Sequence, residues 1–140
     1  MSDLVLVDTS AWTRFFRNKP DDPATADEVE RLLVEGLACY TQPVYLELVV
    51  GARGGRGLEE LKENLEALPV LGVGEREWDL AVETAMSLGT KGLWVDMADL
   101  LVAAVAITNN TRVLHHDNHF RAIAGVAALR EYSFLKDKAE

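Results

Sequence analysis

The sequence of 140 residues contains a single cysteine, Cys39. A lone thiol excludes an intramolecular disulfide framework and any zinc site built on paired cysteines. It fits a reducing, cytoplasmic setting, with the thiol packed in a core. Long apolar runs are also missing. The most apolar stretch, Leu100 to Ile107, falls far short of the roughly 20 residues that a membrane span needs, so no membrane partner is expected. Met1-Ser2-Asp3-Leu4 has no basic n-region and no apolar h-region, and no signal peptide is expected. No internal repeat or low-complexity tract is visible. Positive charge is scarce, with 14 Lys and Arg against 23 Asp and Glu and a net charge of −9. That balance disfavours any partner held by a broad basic surface, nucleic acid included.

Apolar residues make up 49% of the chain and charged residues 26%. That composition suits a packed core rather than disorder, and the length suits one domain over residues 1–140. Leu4 to Val7 is a short apolar run with a β-branched bias, read as a buried strand. Asp8-Thr9-Ser10 ends it and supplies capping oxygens for a helix over Ala11 to Arg17. Pro20-Asp21-Asp22-Pro23 reads as a turn. Ala24 to Glu35 reads as a helix stopped by Gly36, and Leu37 to Tyr40 as a second strand. A helix with Pro43 in its first turn carries Val44, Leu46, Leu48 and Val49. Gly51 to Gly57 breaks it, and Leu58 to Leu68 is another helix.

Pro69 to Val73 suggests a third strand. Glu75 to Leu88 is helical, with Trp78, Ala81, Val82, Ala85 and Met86 expected on the buried side. Asp96 to Thr108 is apolar nearly all round, as expected of a central helix. Arg112 to His115 is a fourth strand, followed by a loop from Asp117 and a short helix to Ala124. A last strand is expected around Val126 to Leu129. Strands alternating with helices at this density predict a three-layer α/β/α sandwich with a short parallel sheet. Ligands in such sheets bind at the carboxyl ends of the strands.

Four acids fall near those ends or in the helices that follow: Asp8, Glu47, Asp99 and Asp117. Gathering four carboxylates raises their pKa values and destabilises the fold. A hard divalent cation, Mg²⁺ or Mn²⁺, relieves that cost and lowers the pKa of a bound water. Taken singly, each acid is more often a cap or a surface group. Context lifts the set. Val7-Asp8-Thr9-Ser10-Ala11-Trp12, Pro43-Val44-Tyr45-Leu46-Glu47-Leu48, Asp99 to Ala106, and Val113-Leu114-His115-His116-Asp117-Asn118-His119-Phe120 occur in that order. From Leu4 to about Ala124 the chain resembles the PIN-domain family, and within it the VapC-type toxins of toxin–antitoxin systems.

The resemblance implies a PIN-like fold and a Mg²⁺- or Mn²⁺-dependent endoribonuclease, acting by a metal-activated water on RNA in the cytoplasm. It implies that Asp8 and Asp99 are the main metal ligands, with Glu47 and Asp117 holding the metal water or a second ion. Ser10 matches the small hydroxyl residue beside the first acid. Asp96 shares a helix face with Asp99 and is read first as an N-cap, then as an outer-shell acid. His119 departs from the pattern: many relatives carry another acid there, which puts a fifth carboxylate and a second metal's ligation in question. Homodimerisation, and neutralisation by a small antitoxin whose basic tail reaches the acids, are likewise inherited from the resemblance.

Other features stay open. Gly51-Ala52-Arg53-Gly54-Gly55-Arg56-Gly57 lacks the Lys-Ser/Thr ending of a phosphate loop. It is either a flexible connection or a site where Arg53 and Arg56 meet RNA phosphates. Arg14, Arg17 and Lys19 admit the same two readings. His115, His116 and His119 invite a zinc reading, but with no HExxH and no cysteine ligand they are expected to face solvent or substrate. Trp12, Phe15 and Phe16 are expected in the core or a subunit interface. Two alternatives compete with the nuclease: a non-catalytic PIN-like module that binds RNA or protein, and a metal-dependent phosphatase of the haloacid dehalogenase type. The latter wants a second Asp where Ser10 stands. The net charge then argues only against tight non-specific RNA binding, because four acids belong to the metal site and others, such as Glu59, Glu60 and Glu63, fall in outer helices.

Overall fold

The computed structural model describes residues 3–17, 23–55 and 57–135. The predicted turn at 20–22, Lys19 and Arg56 lie outside the described residues. In chain order the elements are β1 (Val5–Val7), α1 (Thr9–Arg17), α2 (Pro23–Val34), β2 (Ala38–Cys39), α3 (Gln42–Ala52), α4 (Gly57–Glu66), α5 (Glu75–Thr90), α6 (Met97–Thr108), β3 (Arg112–His115), α7 (His119–Ala124) and β4 (Glu131–Ser133).

The strands form one four-stranded sheet in the order β2-β1-β3-β4. Every pairing is parallel: Val5 opposite Ala38, Leu6 opposite Val113, Leu114 opposite Tyr132. The chain steps from β1 outward to β2, then returns past β1 to β3 and on to β4. Right-handed crossovers run in opposite directions therefore place α1 and α2 on one face and α3 to α7 on the other. With both faces covered, the central strands need apolar residues at every position, not at alternate ones. Val5, Leu6 and Val7 are buried, as are Val113 and Leu114. Val29 and Leu32 of α2 join this core, with Val102, Val105 and Ala106 of α6. Trp12 is fully buried and stacks on Phe16 at 5.6 Å between ring centroids. Cys39 is buried too, and burial pushes its thiol up to about 12.

Several expectations are corrected. Pro69 to Val73 forms no strand; its extended backbone makes a single bridge, Tyr40 to Val70, because only one strand neighbour is within reach at the sheet's edge. The last strand lies at Glu131–Ser133, not at Val126 to Leu129; the Val126 and Ala127 N–H groups are drawn into the turn closing α7, where both bond to the Ile123 carbonyl. Helix α3 continues through Gly51 to Ala52 and ends in left-handed backbone at Arg53 and Gly54, with φ values of 51° and 70°. Leu46 is exposed.

Helix α5 is the largest departure. Its buried residues are Ala81, Thr84 and Leu88, while Trp78, Val82, Ala85 and Met86 are exposed. Period alone did not choose between two adjacent stripes. The small Ala81 and Thr84, which let α5 approach α6 closely, decide it.

Leu6, fully buried between both layers, is expected to cost about 2–5 kcal/mol when cut to Ala. Urea unfolding of Leu6→Ala against the parent measures this, and an unchanged midpoint would contradict the packing.

Candidate metal centre

The order β2-β1-β3-β4 puts the switch point of the sheet between β1 and β3, and the carboxyl end of β1 opens there. Asp8 is the first residue past β1. Its N–H donates to the Leu114 carbonyl of β3 at 3.0 Å, and its own carbonyl accepts from the Ala11 and Trp12 N–H groups that open α1. Carboxylate oxygen Oδ2 accepts from both the Ser10 N–H at 3.0 Å and the Ser10 hydroxyl at 2.6 Å. The Ser10 Oγ in turn accepts from the His116 N–H at 2.8 Å. One serine thus ties the end of β1 to the end of β3.

The other oxygen, Asp8 Oδ1, is buried with no hydrogen-bond partner. An orphaned carboxylate oxygen is costly in a protein interior, and a cation is the group that would satisfy it. Burial is the main cause that pushes Asp8 up to about 7; the Ser10 hydrogen bonds oppose it, and the charges of Asp99 and Glu47 add to it.

Asp99 sits in the first turn of α6 and is buried. It is pushed up to about 6, first by burial, against the His119 hydrogen bond, and further by Asp117 and Glu47. Glu47 is an exposed residue of α3 whose Oε1 accepts from Thr9 Oγ1 at 2.7 Å. Asp117 lies in the loop after β3, where its Oδ1 accepts the His119 N–H at 3.0 Å. The four predicted acids therefore occupy one electrostatic neighbourhood. They share it with His119, whose Nδ1 stands 2.8 Å from Asp99 Oδ2 and 3.5 Å from Asp117 Oδ1. The Asp99 hydrogen bond holds the His119 imidazole above its ordinary pKa.

Among the described residues, the ligand atoms within 4.8 Å of one another belong to Asp96, Asp99 and His119. Asp96 does occupy the N-cap position of α6, yet its side chain makes no capping hydrogen bond. The expectation that it serves first as a cap is corrected: its carboxylate is turned to the acids. The donor set is hard oxygen with one imidazole nitrogen, and it fits a divalent cation.

The histidines divide. His115 is fully buried, contrary to the expectation that it meets solvent or substrate. Its Nδ1 accepts the Asp117 N–H at 3.1 Å, so Nε2 carries the proton toward Glu131 Oε1 at 2.6 Å. Burial lowers its pKa. Both nitrogens are engaged in positioning the Asp117 loop, which removes the His115/His119 zinc pair. The parts that Thr9, His115 and Glu131 play here are not among the expectations from the sequence. Thr9 stands inside the first acidic motif and was legible there as a hydroxyl; Glu131 left no local signal.

Of the predicted RNA-contacting arginines, Arg17 lines a cleft of about 250 Å³ with Thr9, Phe16, Glu47, Leu48 and Leu61. Arg53 is exposed at the end of α3, and Arg14 is half-buried in α1.

A pH dependence follows. A carboxyl group whose pKa rises from 3.8 to about 7 on folding binds more protons in the folded state across that window, so its contribution to stability falls as pH rises. Glu28 and Glu77, held low by hydrogen bonds from Arg31 and Thr108, act in the opposite direction. The difference between parent and Asp8→Asn isolates the effect. In chelator, Asp8→Asn is expected to gain on the parent between pH 4 and 7 by on the order of a few kcal/mol. Denaturant unfolding at several pH values checks this; a constant difference contradicts it.

A family model described as PIN domain matches residues 5–126. The chain is 32% identical over 135 residues to "VapC ribonuclease Mb1587" of Mycobacterium bovis and, equally, to "Ribonuclease VapC11" of Mycobacterium tuberculosis; the alignments cover 94% of this chain and 99% of each relative. Among solved structures, the fold matches a DNA-bound VapBC from Salmonella typhimurium with a TM-score of 0.77 at 21% identity, over 96% of this chain and 100% of that one. It matches VapBC-1 from nontypeable Haemophilus influenzae with a TM-score of 0.73 at 22% identity, over 93% and 97%. With a family model spanning residues 5–126 and relatives at 32% identity aligned along 94% of its length, this chain belongs to the PIN-domain family.

Proposed function

We propose that this protein is an endoribonuclease, the toxin of a toxin–antitoxin pair, which hydrolyses RNA phosphodiester bonds at a Mg²⁺ or Mn²⁺ centre. The observation that carries the metal dependence is Asp8 Oδ1, buried and without a hydrogen-bond partner beside Asp99 and Glu47. The names of the relatives, both ribonucleases, support the activity. Asp8 and Asp99 are the principal ligands, and Glu47 and Asp117 complete the acidic rim. A bound divalent ion supplies a water of lowered pKa and offsets the charge that develops on the phosphate.

The chain's own residues set the geometry. Ser10 holds one oxygen of Asp8 and leaves the other open. Thr9 holds one oxygen of Glu47 by a hydrogen bond. His115 and Glu131 fix the backbone of Asp117. No side chain has to act as nucleophile. Arg17, in the cleft beside Glu47, is suited to an RNA phosphate, as is the exposed Arg53.

The same reading takes residues 1–140 as one domain working in the cytoplasm, where the lone thiol of Cys39 stays reduced. The VapBC titles of the structural neighbours support an antitoxin partner, and an acidic rim suits a basic tail. A homodimer is supported by the apolar side chains left exposed on α5 and nearby, Trp78, Val82, Met86, Trp94 and Met97. No described helix is long and apolar enough to cross a membrane.

Cleavage of a structured RNA in Mg²⁺ or Mn²⁺ tests the proposal. Asp8→Asn is expected to lose at least about 100-fold in rate, excess EDTA to abolish cutting, and a small phosphate ester to remain intact. Equal cutting by Asp8→Asn, or in EDTA, defeats the metal mechanism. RNA left intact under all conditions favours the binding module, and ester hydrolysis the phosphatase.

A further inference from the structure

His119 is the one nitrogen donor among the described groups that crowd this centre. It opens α7, and its side chain leans back across the rim to α6. Its Nδ1 stands 2.8 Å from Asp99 Oδ2. Without a cation this contact is a hydrogen bond, and a cation held by both groups would displace its proton. Asp96, whose carboxylate caps nothing, brings a third ligand atom within 4.8 Å of the other two. A second observation points the same way: Asp8 Oδ1 is buried with no hydrogen-bond partner, on a residue that feels the charge of Asp99, a member of the trio.

Two properties separate His119 from its neighbours. Its backbone N–H holds Asp117 Oδ1 at 3.0 Å, so the ring is anchored at its base while Nδ1 faces the acids. Its side chain is 39% exposed, so it supports no packing that would demand an imidazole. His115, by contrast, has both ring nitrogens engaged.

We propose that His119, with Asp99 and Asp96, forms a nitrogen-containing metal subsite that makes this centre prefer a divalent first-row transition ion to Mg²⁺. The physical reason is the donor. Mg²⁺ is a hard ion that keeps its waters and favours carboxylate oxygen, whereas imidazole nitrogen binds transition ions more strongly, in the order that rises from Mn²⁺. An all-carboxylate rim would leave the choice of ion largely to availability. This inference rests on the metal-dependent reading given above.

Mn²⁺ alone, without RNA, is the probe. Electron paramagnetic resonance gives the affinity for Mn²⁺, its displacement by Mg²⁺, and, through electron spin-echo modulation, coupling to a ligand ¹⁴N. The parent, His119→Ala, His119→Asp and Asp8→Asn are compared, with circular dichroism confirming that each is folded. The parent is expected to show ¹⁴N modulation that both His119 variants lack. His119→Asp is expected to keep binding Mn²⁺ while its preference for Mn²⁺ over Mg²⁺ falls by about tenfold or more. Tight Mn²⁺ binding by the parent without ¹⁴N modulation, or modulation that survives in His119→Ala, overturns the subsite and leaves the metal-dependent nuclease standing. Failure of the parent to bind Mn²⁺, or binding unaffected by Asp8→Asn, overturns both.

Discussion

Carboxylates that must be brought together, and partly buried, before any cation arrives constrain the rest of this structure. Asp8 and Asp99 are both pushed well above the ordinary range, mainly by burial; Asp99 and Glu47 add to the shift of Asp8, and Asp117 and Glu47 to that of Asp99. Such a cluster does not hold itself together. It survives because rigid elements deliver the acids. Asp8 precedes α1 and Asp99 lies in the first turn of α6, where the positive ends of the two helices offset part of the repulsion. The remaining strain is concentrated at Asp8 Oδ1, buried and without a hydrogen-bond partner, which the proposed metal would relieve.

The sheet provides the rigidity. Asp8 and the Asp117 loop come from neighbouring parallel strands; the two strand ends are joined twice, and a third tie runs from the Asp117 loop to β4. The Asp8 N–H meets the Leu114 carbonyl, Ser10 bridges Asp8 to the His116 N–H, and His115 holds the Asp117 N–H while Glu131 of β4 holds His115. A displacement of one acid is thus resisted by backbone on the next strand. Glu47 on α3 is held differently: it is exposed, and Thr9 alone among the contacts described binds its carboxylate.

The charge balance takes its place here. A net charge of −9 works against a broad grip on any polyanion, and under the proposed function the acidic rim would meet an RNA phosphate through a cation. The same rim favours basic partners. On another part of the surface, Trp78, Val82 and Met86 leave exposed apolar side chains along α5, which the proposed homodimer would cover.

The sequence by itself determined the parallel α/β character, the central helix α6, and the two buried strands Val5–Val7 and Arg112–His115, because continuous apolar runs and near-uniform apolar helices have few other uses. It also marked the acids, since Asp8, Glu47, Asp99 and Asp117 stand at strand ends or in the helices that follow. Only the tertiary structure decided which stripe of α5 is buried, because Ala81 and Thr84 become the better face only when α6 is present to pack against. Only it showed that Asp96 faces the acids rather than capping its helix, that His115 is a buried strut, and that His119 sits among the carboxylates. Those roles depend on distances between residues far apart in the chain, set by the register of β1 on β3 and the path of α6 past them, and no local pattern encodes them.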